Sequence, residues 1–158
     1  MPPNLKITPD GNLATAVAAP APRGPSRREV IEQFVPNSPL AGRLGIELVA
    51  LGEDRAELRL PFDPANATLG DVVHGGAIAT LIDTAGMAAC WADEVVPEAL
   101  GGASVTLNVD YLAAAVGTDL TAVATVSRRG RRLCFAAVEV RAEDERLIAT
   151  GSMVHSYG

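Results

Sequence analysis

The stretch VVHGGAIATLIDTAGMAA, residues 72–89, predicts one long apolar helix around which the rest of the chain is organised. A helix that is apolar on nearly every side is typical of the centre of a protein. One carboxylate, Asp83, interrupts the run, and a His-Gly-Gly turn opens it. A buried carboxylate must be paired, protonated or used in chemistry. We expect Asp83 to be used, although an Asp hydrogen-bonded inside the core would give the same pattern.

The head of this helix is suited to receive a negatively charged oxygen. The first turn of a helix has backbone N–H groups without partners and a partial positive charge. Gly75 and Gly76, which follow His74, have no side chain that would block an approaching carbonyl group. The pattern favours an oxyanion site here. The alternative is that both glycines only allow the helix to pack closely against a sheet.

The spacing between His74 and Asp83 predicts an oligomer. The two residues are nine positions apart, which is about two and a half turns and roughly 13 Å along the helix axis. Their side chains therefore leave opposite sides of the helix, and one copy cannot easily bring both to the same substrate atom. Two antiparallel copies could pair each His-Gly-Gly turn with the other copy's carboxylate. We expect a two-fold dimer with active sites at its interface.

Alternating apolar and polar residues flank the helix on both sides, which is typical of half-buried strands. Segments 46–50 and 56–60 predict a hairpin before the helix, and residues 63–71 predict a loop. Four more strands are predicted after it, at 104–111, 120–126, 133–140 and 147–155, with turns at 128–131 and 143–145. The order β-β-α-β-β-β-β predicts an α+β architecture, one antiparallel sheet with one long helix across it.

Residues 1–26 predict an extended N-terminal arm, because prolines and glycines punctuate them without any periodicity. Residues 27–158 are long enough for a single domain with a core. Ser26 is a suitable N-cap for a helix over 27–35 that ends before Pro36, and a second helical turn starts at Pro39. The inward side of the first helix is expected to consist of Ile31, Phe34 and Val35.

The net charge and the absence of common motifs argue against several kinds of function. The net charge of −6 argues against nucleic acid or an anionic membrane as the main partner. The chain has no GxSxG, GxGxxG, P-loop or HExxH motif, and Cys90 and Cys134 lack zinc-ligand spacing. We expect two buried free thiols and no metal. Without a signal-peptide pattern or an apolar stretch of about 20 residues, a cytoplasmic protein is expected.

The segments HGGAIATLIDTAGMAA, SVTLNVDYL and RRGRRLCFAAVEV occur in this order. Together they resemble the hotdog-fold acyl-CoA thioesterases of the 4-hydroxybenzoyl-CoA thioesterase superfamily, and most closely the phenylacetate-pathway subgroup. The resemblance covers about residues 40–156. It implies a hotdog fold, with a curved antiparallel sheet wrapped around one long central helix. It also implies a homodimer, often paired further into a tetramer.

What the resemblance implies for function is hydrolysis of an acyl-CoA thioester to a free acid and coenzyme A, without a cofactor. It places the general base or nucleophile at Asp83 and the oxyanion-hole N–H at Gly75. His74 would hold the turn or touch the substrate, and Ser104 would supply a hydroxyl near the carboxylate. The expected contacts to the substrate and coenzyme A are Asn66, Gly76, Tyr111, Arg128, Arg129, Gly130, Arg131 and Arg132. Without the resemblance, the arginine cluster would be read as a solvated hairpin.

Two departures from the family pattern accompany the resemblance. Relatives tend to have an Asn six residues before the His, whereas this chain has Thr68 there and Asn66 two positions earlier. The stretch after Tyr111 is LAAAV, where an Arg-Pro pair is common. A non-catalytic acyl-CoA-binding or regulatory protein of the same fold is the competing hypothesis. A hydratase is disfavoured because the chain has no Asp-x4-His pair.

The acyl group is left open by the sequence, and aromatic and medium-chain groups are both compatible with it. Small residues are expected to line the acyl pocket, together with strands of the partner subunit. On the helix these small residues are Ala85, Ala88 and Ala89.

Overall fold

A computed structural model describes residues 6–7, 13–14 and 23–157 of the chain. The helices are α1 (Arg27–Asn37), α2 (Pro39–Leu44) and α3 (Gly75–Cys90), and a 3₁₀ turn spans Pro64–Asn66. The strands are β1 (Lys6–Ile7), β2 (Leu13–Ala14), β3 (Glu47–Gly52), β4 (Arg55–Leu60), β5 (Ala67–Leu69), β6 (Val72–Val73), β7 (Gly102–Tyr111), β8 (Leu120–Arg129), β9 (Leu133–Ala142) and β10 (Leu147–Tyr157). The predicted α+β architecture is confirmed.

Six of the strands form one antiparallel sheet in the order β3-β4-β8-β9-β10-β7. The turns between neighbouring strands are tight, since Asp54 and Glu145 adopt positive φ angles of 56° and 62°. The strands after α3 occupy the middle and one edge of the sheet, and β7 forms that edge. Most β7 residues are exposed, in contrast to the alternating burial of β8 and β9.

Helix α3 lies across this sheet and buries a continuous face against it. The buried residues of that face are Ala77, Ile78, Leu81, Ile82, Ala85, Gly86, Ala88, Ala89 and Cys90. The approach is close at Gly151 of β10, where an added Cβ would lie 2.4 Å from the Ile82 Cγ2 atom. Small residues at this contact therefore determine how near the helix and the sheet can come.

Helix α1 begins where the sequence predicts. Ser26 accepts a hydrogen bond from the Glu29 N–H, and the Glu29 carboxylate accepts one from the Ser26 N–H. The helix continues past the expected end, because Pro36 lies in its last turn, where a missing N–H removes only one helical bond. Phe34 was predicted to face inward and is instead 51% exposed, whereas Ile31 and Val35 are buried.

Two predicted loops contain regular structure. Residues 63–71 hold the 3₁₀ turn and β5, which pairs with β6. The Asp63 carboxylate caps that turn by accepting a hydrogen bond from the Ala65 N–H at 2.8 Å. Arg128 and Arg129, predicted to lie in a turn, belong to β8 beyond a register shift that follows Val126. The turn between β8 and β9 is shorter than predicted, because the two strands stay paired almost to Gly130.

Most of the predicted N-terminal arm lies outside the described residues, which include its short antiparallel pair β1–β2. Cys90 and Cys134 are free and buried, as predicted. Contact with the Cys90 thiol lowers the pKa of Cys134, and the same contact together with burial raises the pKa of Cys90. None of the helices in the described ranges has the length and hydropathy needed to cross a membrane.

Candidate active site

Asp83 and Ser104 form the polar pair at the centre of the candidate site. The Ser104 hydroxyl donates a hydrogen bond of 2.6 Å to the Asp83 carboxylate. Asp83 lies outside the buried face of α3, and Ser104 lies near the start of the edge strand β7. Asp83 is half-buried in the single chain. A carboxylate held in one orientation by a hydroxyl, yet open to a cavity, is suited to accept a proton from water.

The His-Gly-Gly turn is arranged as a helix cap. His74 is the N-cap of α3, and its Nδ1 accepts a hydrogen bond of 2.7 Å from the Gly76 N–H. An added Cβ on Gly76 would lie 2.9 Å from that same nitrogen, so the cap requires glycine there. Within residues 23–157, nothing accepts a hydrogen bond from the Gly75 N–H. This donor at the helix head is therefore free to face a ligand.

Tyr111 connects the far end of β7 to the helix head. Its hydroxyl donates a hydrogen bond of 2.9 Å to the Gly75 carbonyl oxygen. An added Cβ on Gly75 would touch the Tyr111 ring at 3.4 Å. Strand β7 therefore carries Ser104 with the carboxylate near one end and Tyr111 with the His-Gly-Gly turn at the other.

Asn66 supports the same turn through its backbone. Its carbonyl oxygen accepts a hydrogen bond of 2.8 Å from the His74 N–H. Its side-chain amide donates to the Leu44 carbonyl oxygen at 3.3 Å. The exposed Thr68, which occupies the position of the family's usual Asn, lies on β5. Asn66 rather than Thr68 therefore makes a hydrogen bond to the turn.

The predicted arginine cluster divides into two groups. Arg128, Arg131 and Arg132 are exposed around Gly130 and can reach solutes. Arg129 is engaged inside the protein, where its guanidinium contacts Asp54, Asp93 and the Tyr157 hydroxyl. It also donates to the Cys90 carbonyl oxygen at 2.5 Å and to the Ala89 carbonyl oxygen at 3.3 Å. With each of its nitrogens occupied, Arg129 has no donor left for a phosphate.

A cavity of about 480 Å³ opens beside Asp83 and Ser104. Helices α1 and α2 form one wall, α3 forms the second, and the start of β7 forms the third. The lining is mostly apolar, and Asp83 and Ser104 contribute oxygens to it. An apolar cavity of this size with a few convergent polar groups is typical of a small-molecule site.

A buried, hydrogen-bonded pair of rings forms part of the cavity wall. The Trp91 Nε1–H donates a hydrogen bond of 2.9 Å to His155 Nε2, and both residues line the cavity. Burial lowers the pKa of His155, although the nearby Asp83 charge opposes this effect. Since indole only donates, the neutral imidazole carries its proton on Nδ1. That nitrogen is buried without a partner among the described residues.

The family model of the Thioesterase superfamily matches residues 70–149, which include the His-Gly-Gly turn, α3 and most of the sheet. The chain belongs to the thioesterase superfamily. It is a thioester hydrolase, as predicted.

This thioesterase resembles other proteins of the superfamily in sequence and in structure. It is 28% identical over 142 residues to the medium/long-chain acyl-CoA thioesterase YigI of Salmonella typhimurium, covering 80% of this chain and 90% of YigI. A thioesterase family protein from Silicibacter pomeroyi superposes with a TM-score of 0.76 at 25% identity, covering 83% and 97% of the two chains. These similarities confirm the predicted hotdog fold.

The phenylacetate-pathway subgroup stays a prediction. The PaaI protein from the phenylacetic acid degradation operon of Escherichia coli superposes with a TM-score of 0.65, covering 74% of this thioesterase and 86% of that chain. The two chains are only 22% identical, so this likeness supports the fold alone.

The cavity of this thioesterase has a lining that differs from the predicted one. Ala85, Ala88 and Ala89 are fully buried against the sheet and do not reach it. The face of α3 that lines the cavity instead carries Thr80, Asp83, Thr84, Met87 and Trp91. Helical spacing from Asp83 could have identified these positions, because residues three or four apart share a face. No comparable pattern in the sequence indicates that α1 and α2 also line the cavity.

Proposed function

We propose that this thioesterase hydrolyses acyl-CoA thioesters, with Asp83 as general base or nucleophile and the Gly75 N–H as oxyanion donor. As general base, Asp83 takes a proton from water while the water oxygen bonds to the thioester carbon. The tetrahedral oxyanion is stabilised by the free N–H at the head of α3. When the C–S bond breaks, coenzyme A leaves as a thiolate and the protonated Asp83 returns the proton to it. The reaction requires no metal or redox cofactor.

The hydrogen bond from Ser104 to Asp83 is the observation that carries this proposal. A carboxylate needed only for stability would be expected inside the core and fully satisfied there. Here the pair lies at the wall of an apolar cavity, and the second Asp83 oxygen has no partner within residues 23–157. The Ser104 hydroxyl orients the carboxylate toward the position of the attacking water.

The two halves of the site are proposed to come from different subunits of a homodimer. Ser104 and Tyr111 are seven residues apart on β7, which is roughly 23 Å along an extended strand. If two β7 edges pair in antiparallel orientation, with the two-fold axis between Leu107 and Asn108, Ser104 of one subunit lies opposite the partner's Tyr111. The hydroxyl of the partner's Tyr111 donates to the partner's Gly75. The pairing would therefore bring the head of the partner's α3 to Asp83 of the first subunit.

The exposure of β7 supports this pairing. Strand β7 has a hydrogen-bonded neighbour on one side only, β10, within the described part of the chain. Val105 and Tyr111 on this strand are 56% and 53% exposed. A long exposed edge with large apolar side chains is normally covered by another chain. The further pairing of dimers into tetramers is part of the same proposal.

Coenzyme A is proposed to be held by the exposed arginines. Arg131 and Arg132 line a second cleft of about 410 Å³, which also contains Arg27. This cleft shares Trp91 and Gly101 with the cavity beside Asp83. Guanidinium groups are well suited to bind phosphates. Arg128 and Gly130 complete the expected contact surface, from which Arg129 is withdrawn by its internal contacts.

Substitution of Asp83 tests the proposed chemistry. We expect Asp83→Asn to lower kcat for an acyl-CoA panel by about 10²- to 10⁴-fold, because the amide cannot take the proton. Asp144→Asn, an exposed carboxylate in the turn between β9 and β10, is the control and should leave kcat unchanged. The assay follows release of free coenzyme A thiol.

Undiminished hydrolysis by Asp83→Asn would exclude Asp83 as base and as nucleophile. Saturable acyl-CoA binding without product from the wild-type protein would instead identify a non-catalytic acyl-CoA-binding protein. A single turnover in ¹⁸O-labelled water tests for the nucleophilic role, because water that opens the acyl anhydride at the Asp83 carbonyl carbon leaves its label there. Only nucleophilic attack by Asp83 places the label in its carboxylate.

A further inference from the structure

The cavity beside Asp83 has an apolar wall that lies outside the part of the chain matched by the family model. Helices α1 and α2 precede residue 70, at which that match begins. They contribute Val30, Ile31, Phe34, Leu40 and Ala41 to the lining. The wall therefore comes from the segment before β3 and not from the segment that the family model matches.

The rim of this wall is unusually apolar for a surface. Phe34 is 51% exposed and Leu40 is 54% exposed. A single exposed apolar side chain on a protein surface needs no explanation. Two of them at the edge of an apolar cavity that contains a carboxylate indicate a surface that an apolar ligand covers.

The opposite wall, on α3, offers no free hydroxyl donor to a polar ligand. The Thr80 hydroxyl donates to the Gly76 carbonyl oxygen at 2.9 Å, and the Thr84 hydroxyl donates to the Thr80 carbonyl oxygen at 2.8 Å. Both protons are thus used within the helix. Met87 adds a flexible apolar side chain between these two threonines and Trp91. Flexible thioethers adapt to unbranched chains of different length.

We infer that this cavity binds an unbranched aliphatic acyl chain, and that Phe34 and Leu40 determine the preference for longer chains over short ones. The inference rests on the proposed function, because it takes the thioester carbonyl to lie at Asp83. The alkyl chain then runs from the Asp83–Ser104 pair along the wall formed by α1 and α2. Phe34 and Leu40 lose contact with water only when the chain is long enough to reach them.

Chain-length profiles test this inference. For the wild-type enzyme, kcat/KM should rise about fourfold per methylene from butanoyl-CoA until the cavity is filled. Phe34→Ala should lower the ratio of kcat/KM for decanoyl-CoA to that for butanoyl-CoA by about tenfold, and should leave butanoyl-CoA almost unaffected. Leu40→Ala is the second variant. Val49→Ala, similarly exposed at 53% on β3, is the control and should keep the wild-type ratio.

Trp91 provides a readout that does not depend on turnover. It is the only tryptophan in the chain and it lines the cavity. Titration of the Asp83→Asn variant with decanoyl-CoA should change its fluorescence in a saturable way. Adding Phe34→Ala should raise the Kd about tenfold. Binding that weakens with Phe34→Ala while the wild-type protein forms no product would support the cavity and reject the hydrolysis.

Three outcomes would overturn the inference. One is an unchanged ratio of decanoyl-CoA to butanoyl-CoA in both the Phe34 and the Leu40 variants of an active enzyme. Another is a preference for phenylacetyl-CoA or benzoyl-CoA over every alkanoyl-CoA. The third is a change of oligomeric state in Phe34→Ala with an unchanged profile, which would assign the rim to a contact between subunits.

Discussion

At the scale of single residues, Arg129 holds the end of α3 in place. The last carbonyl groups of a helix have no partners within the helix and carry partial negative charge. Arg129 of β8 donates to two of them, at Ala89 and Cys90, while Asp54 and Asp93 balance its charge. The guanidinium therefore fixes the end of the helix against the sheet, with Asp83 about two turns away.

We expect Arg129→Ala to lower the free energy of unfolding by roughly 3 kcal/mol, because it leaves Asp54 and the last helix carbonyls without their cation and removes one of the two arginine partners of Asp93. Urea unfolding at neutral pH measures this. Arg128→Ala, the exposed neighbour, is the control and should change stability by less than about 0.5 kcal/mol. Equal stability of both variants, with a raised KM for acyl-CoA only in Arg129→Ala, would instead place Arg129 in coenzyme A binding.

Sequence reasoning singled out Asp83 because helical period and one unexpected charge are local signals. The resemblance supplied Ser104 as its neighbour, and the structure brings the two side chains within hydrogen-bond distance. The internal role of Arg129 was not predictable in this way. Its partner Asp54 is 75 residues away in the chain, and four arginines within five residues give no local sign of which one points inward.

At the scale of elements, the contact between α3 and β10 depends on the absence of a side chain at Gly151. We expect Gly151→Ala to cost about 1 to 3 kcal/mol of unfolding free energy, because the new methyl group would overlap the fully buried Ile82. Thermal and urea unfolding measure the loss.

Gly42 provides the matched control for that substitution. It lies within α2, where an added Cβ would meet nothing within 4 Å. Gly42→Ala should therefore be neutral or stabilise the protein by up to about 1 kcal/mol, since alanine favours helix. If Gly151→Ala were equally harmless, the helix and the sheet would have room to separate, and the close approach would not limit the packing.

The main elements were predictable because the alternation of apolar and polar residues and the helical period are properties of short segments. Strands β3, β4, β7, β8, β9 and β10 and helix α3 lie where these patterns indicate. The pair β5–β6 was missed because its strands are only three and two residues long. The place of α1 and α2 along the cavity depends on packing between distant segments, which no local pattern encodes.

At the scale of the whole molecule, subunits with different defects should restore each other if each active site joins two chains. Gly75→Pro removes the N–H donor, and it suits this position because proline is well tolerated at the first residue of a helix. The preceding His74 already has the extended ψ of 133° that proline requires. Gly75→Ala keeps the N–H group and is the control for the substitution itself.

We expect the Gly75→Pro and Asp83→Asn proteins to be nearly inactive alone and to recover activity after unfolding and refolding together. In a mixed dimer, one site has both defects and the other pairs an intact Gly75 with the partner's intact Asp83. Random mixing in equal amounts makes half of the dimers mixed, so about a quarter of the sites should be active. The measurement is kcat for acyl-CoA per site before and after mixing. Recovery near this fraction requires a site shared between subunits, because sites contained within one chain would gain nothing from the exchange.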